Sequence, residues 1–352
     1  MKKVKLFLVQ LFVAANIAAI LLLWASCAVT YLPPDWHPRL GLLALAFPLF
    51  LLADLLFVLF WLIFKAKRVW IPIVGILGCG SFVRDYVPVN WPTPAVDSTL
   101  TVVSYNTRGY GGKDAALDDG SNAVVNYLIA TDADILCLQE TSPRSTIKEQ
   151  FEQAGYEYRN LKEFTLCSRL PILEADTLAL PGSSGHCMKA LLLEGADTIL
   201  VINQHLESNQ LSPDVRNAYI EAIEKHQSDS MRKGLQPVAD LLTVALPKRG
   251  LQVDSVQRLI DSWLPRPIIL CGDFNDTPVS YTHRVLTKNL RSAYRESGNG
   301  VGFTYHDKGF PVRIDHILFS PDRWRSFQTS VCDTITYSDH LPICTHLARK
   351  TP

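Results

Sequence analysis

Between Leu6 and Pro34 the chain carries no charged residue. A helix rises about 1.5 Å per residue, so about 20 such residues cross a hydrocarbon core, and this run is long enough. A second run, Leu40 to Phe64, is apolar except for Asp54. A carboxylate at that depth costs about 2.5–3.5 kcal/mol on insertion scales. Asp54 is therefore expected to pack against a polar partner in a small bundle. A third run, Val69 to Val83, is shorter and interrupted by Pro72, Gly75, Gly78 and Gly80. It reads either as a third crossing or as a re-entrant segment, with Trp70, Tyr86 and Trp91 as interfacial anchors. The start Met1-Lys-Lys-Val-Lys also resembles a signal-peptide n-region, and Trp24-Ala-Ser-Cys27 has the small residues of a lipoprotein cleavage site. The second long run favours a polytopic anchor over a cleaved leader.

Residues 1–86 are thus expected to form a transmembrane anchor, with spans near 6–30, 40–64 and 69–86. Lys2, Lys3 and Lys5 fall on one side of the membrane with Lys65, Lys67 and Arg68, which the positive-inside tendency makes cytoplasmic. Three crossings then deliver everything after Arg84 to the exocytoplasmic side, periplasmic or extracellular. If the third run does not cross, the large domain is cytoplasmic. Residues 87–97 hold three prolines and no apolar periodicity, which reads as an extended linker lifting the next domain off the bilayer.

Charge is divided along the chain. Lys+Arg and Asp+Glu both total 34. Residues 1–95 hold eight basic and three acidic residues, which leaves 26 basic against 31 acidic beyond them, a net of −5. A disordered chain, a collagen-like chain and a broadly basic nucleic-acid coat are excluded. Eight cysteines in 352 residues do not make a disulfide scaffold. Cys137 and Cys271 sit in apolar strand-like runs and should pack as small hydrophobes. Cys332 and Cys344 flank a possible hairpin, where a disulfide is an open alternative.

From residue 98 to 350 the pattern changes to short apolar, β-branched runs closed by polar residues. Leu100–Tyr105 ends at Asn106, Ile135–Leu138 at Gln139-Glu140, Ile199–Asn203 at His205, and Pro267–Cys271 at Gly272-Asp273-Phe274-Asn275. Val312–Ile314 leads into Asp315 with Ile317–Phe319 beyond, and the last run ends at Ser338-Asp339-His340. Such runs suit strands buried on both faces. Between them Ser121–Thr131, Ile147–Ala154, Val215–His226, Val238–Leu246 and Val253–Trp263 read as helices. The whole predicts an α/β or α+β layered domain of about 250 residues.

If those strands are neighbours, Asn106, Glu140, His205, Asp273, Asn275, Asp315, Asp339 and His340 converge on one mouth. Carboxylate and amide oxygens suit a hard divalent cation, Mg²⁺ or Mn²⁺. The sequence has no Cys-x-x-Cys, His-Glu-x-x-His, Gly-x-Ser-x-Gly or Walker loop, so zinc, serine-hydrolase and P-loop chemistry lack support.

The ordered set Ser104-Tyr-Asn106, Leu138-Gln-Glu140, Asn203-Gln-His-Leu-Glu-Ser208, Gly272-Asp-Phe-Asn-Asp276, Arg313-Ile-Asp315 and Ser338-Asp-His340 resembles the endonuclease/exonuclease/phosphatase family. That family includes deoxyribonuclease I-like nucleases, neutral sphingomyelinases and inositol-polyphosphate phosphatases. The resemblance implies a four-layer sandwich of two β-sheets flanked by helices, with the active site at one end. It implies that Glu140, supported by Asn106, is the main metal ligand and Asp339 a second metal-associated carboxylate. It also implies that Asp273 orients or deprotonates the attacking water, with Asn275 beside it. His340, oriented by Asp315, would contact the scissile phosphate, and His205 would contact phosphate or act as an acid. The expected activity is metal-dependent hydrolysis of a phosphodiester or phosphomonoester, on nucleic acid or phospholipid. Loss of Glu140, Asp273 or His340 would have favoured the other class, an inactive membrane-anchored binding module. The anchor implies the lipid bilayer as a partner, and no obligate protein partner is evident. The stretch 209–266, including Arg249 and Gln252, reads as an elaborated surface connection or as a roof over the site. The aromatics of Gly302-Phe-Thr-Tyr305 are candidate pocket walls.

Overall fold

Continuous apolar runs become strands here because both of their faces are covered. The computed structural model describes the chain apart from residues 1, 92, 94–98, 183–184, 211–212, 226–227, 307–310 and 351–352, and apart from the side chains of 2, 213 and 222–233. Among the described residues, twelve strands follow the N-terminal quarter. They are β1 (Thr99–Asn106), β2 (Ile135–Gln139), β3 (Glu157–Leu161), β4 (Phe164–Ser168), β5 (Ile172–Ala179), β6 (His186–Glu194), β7 (Asp197–His205), β8 (Ile268–Asp273), β9 (Arg291–Ser292), β10 (Asp315–Phe319), β11 (Trp324–Val331) and β12 (Ile343–Arg349). β2, β8 and β10 are buried at every position.

The strands make two six-stranded sheets, ordered β11-β12-β1-β2-β4-β3 and β5-β6-β7-β8-β10-β9. Each sheet has one parallel pair at its centre, β1 with β2 and β7 with β8. The sheets face each other across Val102, Cys137, Leu166, Val201, Ile269 and Phe319. Helices Ala123–Ala130 and Ser145–Gln153 cover the first sheet through Val125, Leu128, Ile147 and Phe151. Helix Ser228–Trp263 covers the second through Val253, Val256 and Ile260, which meet Leu200, Ile202 and Leu270. This is the expected sandwich. Cys137 and Cys271 are buried in it as expected, and Cys332 and Cys344 are free thiols rather than a disulfide.

The long helix corrects the two separate helices expected on either side of Pro247. It runs through both Pro237 and Pro247. A proline in a helix interior removes one hydrogen bond and clashes with the preceding turn, at a cost of about 3 kcal/mol. Packing on both sides of it, at Ala245, Leu246 and Val253, together with the fully buried Arg249, outweighs that local penalty.

In the N-terminal quarter, two helices are long and apolar enough to cross a membrane, Lys3–Tyr31 and Phe47–Phe64. The third run fits either expected reading, a crossing or a re-entrant segment. It is a pair, Ala66–Gly78 and Gly80–Tyr86, bent by 70°. Its glycines allow close packing on the first helix: a Cβ at Gly75 would lie 2.6 Å from Ile20, and one at Gly78 2.9 Å from the Trp24 ring. Asp54 is buried and accepts a hydrogen bond from Asn16 Nδ2 at 3.1 Å, and Asn16 Oδ1 accepts one from Trp61 Nε1 at 3.1 Å. This is the polar partner that the depth of Asp54 demands.

The bundle is docked on the sandwich. Phe47 packs against Tyr86, and Val279 of the sandwich joins the same buried cluster. Arg313 Nη2 donates to the carbonyl of Tyr86 at 3.1 Å, and Arg295 pairs with Asp85. The expected linker begins as a clamp: the Pro88 carbonyl accepts from the Gly300 N–H at 2.9 Å, and Asn90 Nδ2 donates to the Gly298 carbonyl at 2.7 Å. Residues 92 and 94–97 of that linker lie outside the described residues.

Candidate active site

Strand parity aims the polar residues. Alternate side chains share a face. In β1, Leu100 and Val102 face the inter-sheet core, and Ser104 and Asn106 continue that face. In β2 it is Ile135 and Cys137, then Gln139. In β8 it is Ile269 and Cys271, then Asp273. In β7 it is Ile199 and Val201, then Asn203 and His205. β10 runs antiparallel to β8, so its inner face starts with Asp315 before Ile317 and Phe319. The apolar core therefore gives way to polar groups where β1, β2, β7 and β8 end and β10 begins. Register places His205, Asp273 and Asp315 side by side on three adjacent strands. The close approach of β7 to β8 requires Gly272, where φ is +140° and a Cβ would lie 1.9 Å from the Gln204 carbonyl oxygen.

Asp273 is the hub. Its Oδ2 accepts from Asn106 Nδ2 at 3.2 Å and lies 3.7 Å from His205 Nε2 and 3.6 Å from His340 Nε2. Its Oδ1 accepts from the Asn275 N–H at 2.8 Å. Asn106 Nδ2 also donates to Glu140 Oε1 at 2.9 Å, and His205 Nε2 lies 3.9 Å from that oxygen. His340 Nδ1 donates to Asp315 Oδ2 at 2.8 Å. Burial opposes charge on the His340 ring, but the carboxylates of Asp315 and Asp273 outweigh it and raise its pKa to about 10. Burial also pushes the Asp315 carboxyl up, against the pull of His340. Glu140 and Asn275 turn the chain just past their strands with φ of 52° and 51°. A glutamate in the left-handed region is uncommon, and such conformations gather at functional sites. Asn275 Nδ2 donates to the Leu206 carbonyl at 3.0 Å, which fixes that side chain.

All eight residues singled out in the sequence come to this end. Asn106, Glu140, His205, Asp273, Asp315 and His340 touch through the contacts above, with Asn275 bonded to Asp273. Asp339 lines the same cavity and accepts from Ser338 Oγ at 3.4 Å. Ser338 Oγ also donates to the Asn106 carbonyl at 2.8 Å, tying the last loop to β1.

A divalent cation fits the chemistry of these donors. The carboxylates of Glu140 and Asp273 converge on one amide nitrogen, and the buried Asp315 Oδ1 has no hydrogen-bond partner among the described residues. Surplus buried anionic oxygen calls for a hard cation. Turned over, the Asn106 amide presents an oxygen to the same space. Asp273, Asp315 and His340 also offer ligand atoms within 4.8 Å of one another.

Other residues named in and around the sequence motifs support the site. Gln139 Nε2 donates to Asn203 Oδ1 at 2.6 Å, and Asn203 Nδ2 to the Leu138 carbonyl at 3.0 Å, joining the sheets beneath the site. Thr304 Oγ1 accepts from the Asp315 N–H at 3.0 Å. Arg249 is fully buried; its Nη1 donates to Asn209 Oδ1 at 2.6 Å and its Nε lies 3.7 Å from Asp276 Oδ2. It fastens the long helix to the loops after β7 and β8. The Tyr305 ring packs edge-on against His340 at 5.0 Å. The 209–266 stretch walls the site: Asn209, Arg216, Leu235, Val238 and Leu242 line its cavity, as do Phe303 and Tyr305.

Comparison with known proteins agrees with this fold. The model of the "Endonuclease/Exonuclease/phosphatase family" matches residues 103–340. A second model, described as a domain of unknown function (DUF8431), matches residues 9–86. A crystal structure of an endonuclease/exonuclease/phosphatase family protein from Bacteroides thetaiotaomicron is 19% identical, with 72% of this chain and 99% of that chain covered and a TM-score of 0.50. The human Nocturnin catalytic domain with bound sulfate is 16% identical, with coverage of 74% and 96% and a TM-score of 0.51. D. rerio TDP2 complexed with a single-strand DNA product is 17% identical, with coverage of 72% and 100% and a TM-score of 0.50. At these identities the likeness is one of fold. Comparison with curated proteins finds no match.

Proposed function

Because the chain belongs to the endonuclease/exonuclease/phosphatase family, we propose that it is a membrane-anchored, divalent-metal-dependent hydrolase of phosphoric esters. The observation that carries this reading is the meeting of Asp273 with two histidines, 3.6 and 3.7 Å away, at the open end of the sandwich. A phosphoester needs its negative oxygens neutralised, a water aimed at phosphorus and a stabilised leaving oxygen.

In this reading Asp273 takes a proton from water as the water oxygen bonds to phosphorus, and Asn275 positions that water. His340 donates from Nε2 to a phosphate oxygen while Asp315 holds its Nδ1. His205, on the other flank of Asp273, binds phosphate or gives a proton to the leaving oxygen. The phosphorus–oxygen bond then breaks with its electron pair on the departing alcohol. Glu140, Asn106 and Asp339 are the residues that would hold Mg²⁺ or Mn²⁺. When bound, that ion supplies charge neutralisation at the phosphate.

The bundle supports an orientation. The sandwich sits at the end where Phe47 meets Tyr86, while Lys2–Lys5 and Lys65–Arg68 belong to the opposite ends of their helices. With the basic clusters cytoplasmic, the catalytic domain is exocytoplasmic. A reporter fused after Pro352 is expected to behave as exported; a cytoplasmic signal would reverse the orientation.

The activity itself is tested on the full chain in detergent with Mg²⁺. The panel is linear DNA, RNA, sphingomyelin, phosphatidylinositol phosphates and a soluble aryl phosphodiester. Hydrolysis of at least one is expected. Failure on all of them would leave a binding module of the same fold.

A further inference from the structure

The sandwich alone does not enclose the site. The strand-end residues open into a cavity of about 820 Å³, near the upper end of the roughly 300–1,000 Å³ usual for small-molecule sites. Its polar end is the cluster around Asp273. Its far wall comes from elements outside the strands: Leu42 and Leu45 of the short helix Gly41–Leu45, Pro48 and Leu49 at the head of the second membrane helix, and Leu235 and Leu242 of the long helix. The wall is presented to whatever enters, since Leu49 is 67% and Leu235 43% exposed. Leu49 also lies in the first turn of the Phe47–Phe64 span, so the wall runs directly into the membrane-crossing surface.

A soluble phosphate gains nothing from such a wall. An acyl chain gains about 25 cal/mol for each Å² of apolar surface removed from water. Nucleic acid would need a basic track for its backbone. Among the described lining residues the arginine is Arg216, which already donates to Tyr305 Oη at 2.7 Å.

We propose that the phosphoester hydrolysed here is carried by a membrane lipid. Its acyl portion lies along the wall formed by the head of the second membrane helix and the long helix, and its phosphate sits at the mouth of the Asp273 cluster, against His340. This rests on the phosphoesterase reading above. Water supplies the new oxygen on phosphorus and one proton to the leaving alcohol oxygen. The products are a phosphate-bearing fragment and an alcohol, one of which stays in the bilayer, and no other reactant is required.

The test uses the full chain with Mg²⁺ in phosphatidylcholine vesicles doped with sphingomyelin, phosphatidylglycerol or a phosphatidylinositol phosphate. Bis(p-nitrophenyl) phosphate and single-stranded DNA serve as soluble substrates. Leu235→Glu and Leu242→Glu put charge on the wall outside the membrane spans, and Leu251→Glu, exposed on the same helix but outside the cavity, controls for added charge. At least one vesicle lipid is expected to be hydrolysed. The ratio of lipid to soluble-ester turnover should fall by about tenfold or more in the two Glu variants, the scale on which one misplaced group alters an apolar pocket. Leu251→Glu should keep the wild-type ratio. An unchanged ratio in both Glu variants would overturn the proposal. So would a wild type that cuts the soluble ester or DNA but none of the vesicle lipids. If the soluble ester and DNA are untouched as well, the phosphoesterase reading fails and this proposal goes with it.

Discussion

Asp273→Asn lowers turnover roughly 10²–10⁴-fold, the usual worth of a general base, and leaves the domain folded. The two side chains have nearly the same volume. The β8 ladder on either side, Asp273 with His205 and with Asp315, is made by backbone groups the change does not touch. The new amide oxygen can still accept from the Asn275 N–H, and the Asn106 amide can turn over to meet the new amide nitrogen. What disappears is the charge within 3.7 Å of both histidine Nε2 atoms. His340→Ala should lose a comparable factor, because it removes the ring that Asp315 aims into the cavity. The contrast is Leu270→Ala, three residues before Asp273. Leu270 is fully buried against the long helix, and its truncation costs about 2–5 kcal/mol of stability. Turnover on a substrate the wild type cleaves, together with thermal melts of the three variants, separates chemistry from folding. Wild-type turnover by Asp273→Asn would make Asp273 a turn residue and remove the centre of the site.

The central strands were legible because burial on both faces writes them as unbroken apolar runs. Ile135–Gln139 and Ile268–Asp273 are buried throughout. The site was legible because the same parity that points Cys137 and Cys271 into the core points Gln139 and Asp273 into its open end. The outer strands were not. Ile172–Ala179 is an edge strand in which Ile172 alone is buried and Leu173, Glu174 and Asp176 are exposed, so it has no run to see. Glu157–Leu161 and Phe164–Ser168 form a hairpin turned through Lys162, which has a φ of 57° and none of the Gly or Asn that usually marks such a turn. Pro247 pointed to a helix end that buried Arg249 and its neighbours override.

The largest gap lies between the two halves of the chain. Arg313 was read as part of a strand-end motif. In the structure its guanidinium stacks over Tyr294 and donates to the last carbonyls of the anchor. Long-range docking of this kind leaves no periodicity in either segment. It nevertheless decides what walls the active site, because it brings Leu45 and Leu49 to the cavity that holds His340.

Removing divalent metal is the second change with a very large expected effect. Three carboxylates, Glu140, Asp273 and Asp315, stand around Asn106, His205 and His340 with more anionic oxygen than the described hydrogen bonds satisfy. Without a cation, an anionic phosphate entering that space meets repulsion from Glu140 and Asp273. Oxygen donors hold Mg²⁺ through few protein ligands, so a chelator should strip it. The direct measurement is turnover of a soluble phosphodiester by the full chain as isolated, after exhaustive chelation, and after Mg²⁺ or Mn²⁺ is restored. Glu140→Gln is run in parallel. The expected result is loss of activity to the uncatalysed background, recovery on adding back either ion, and a higher metal requirement for Glu140→Gln. Undiminished turnover in excess chelator would contradict the account, because Asp273 and the two histidines would then be working without the cation proposed beside them.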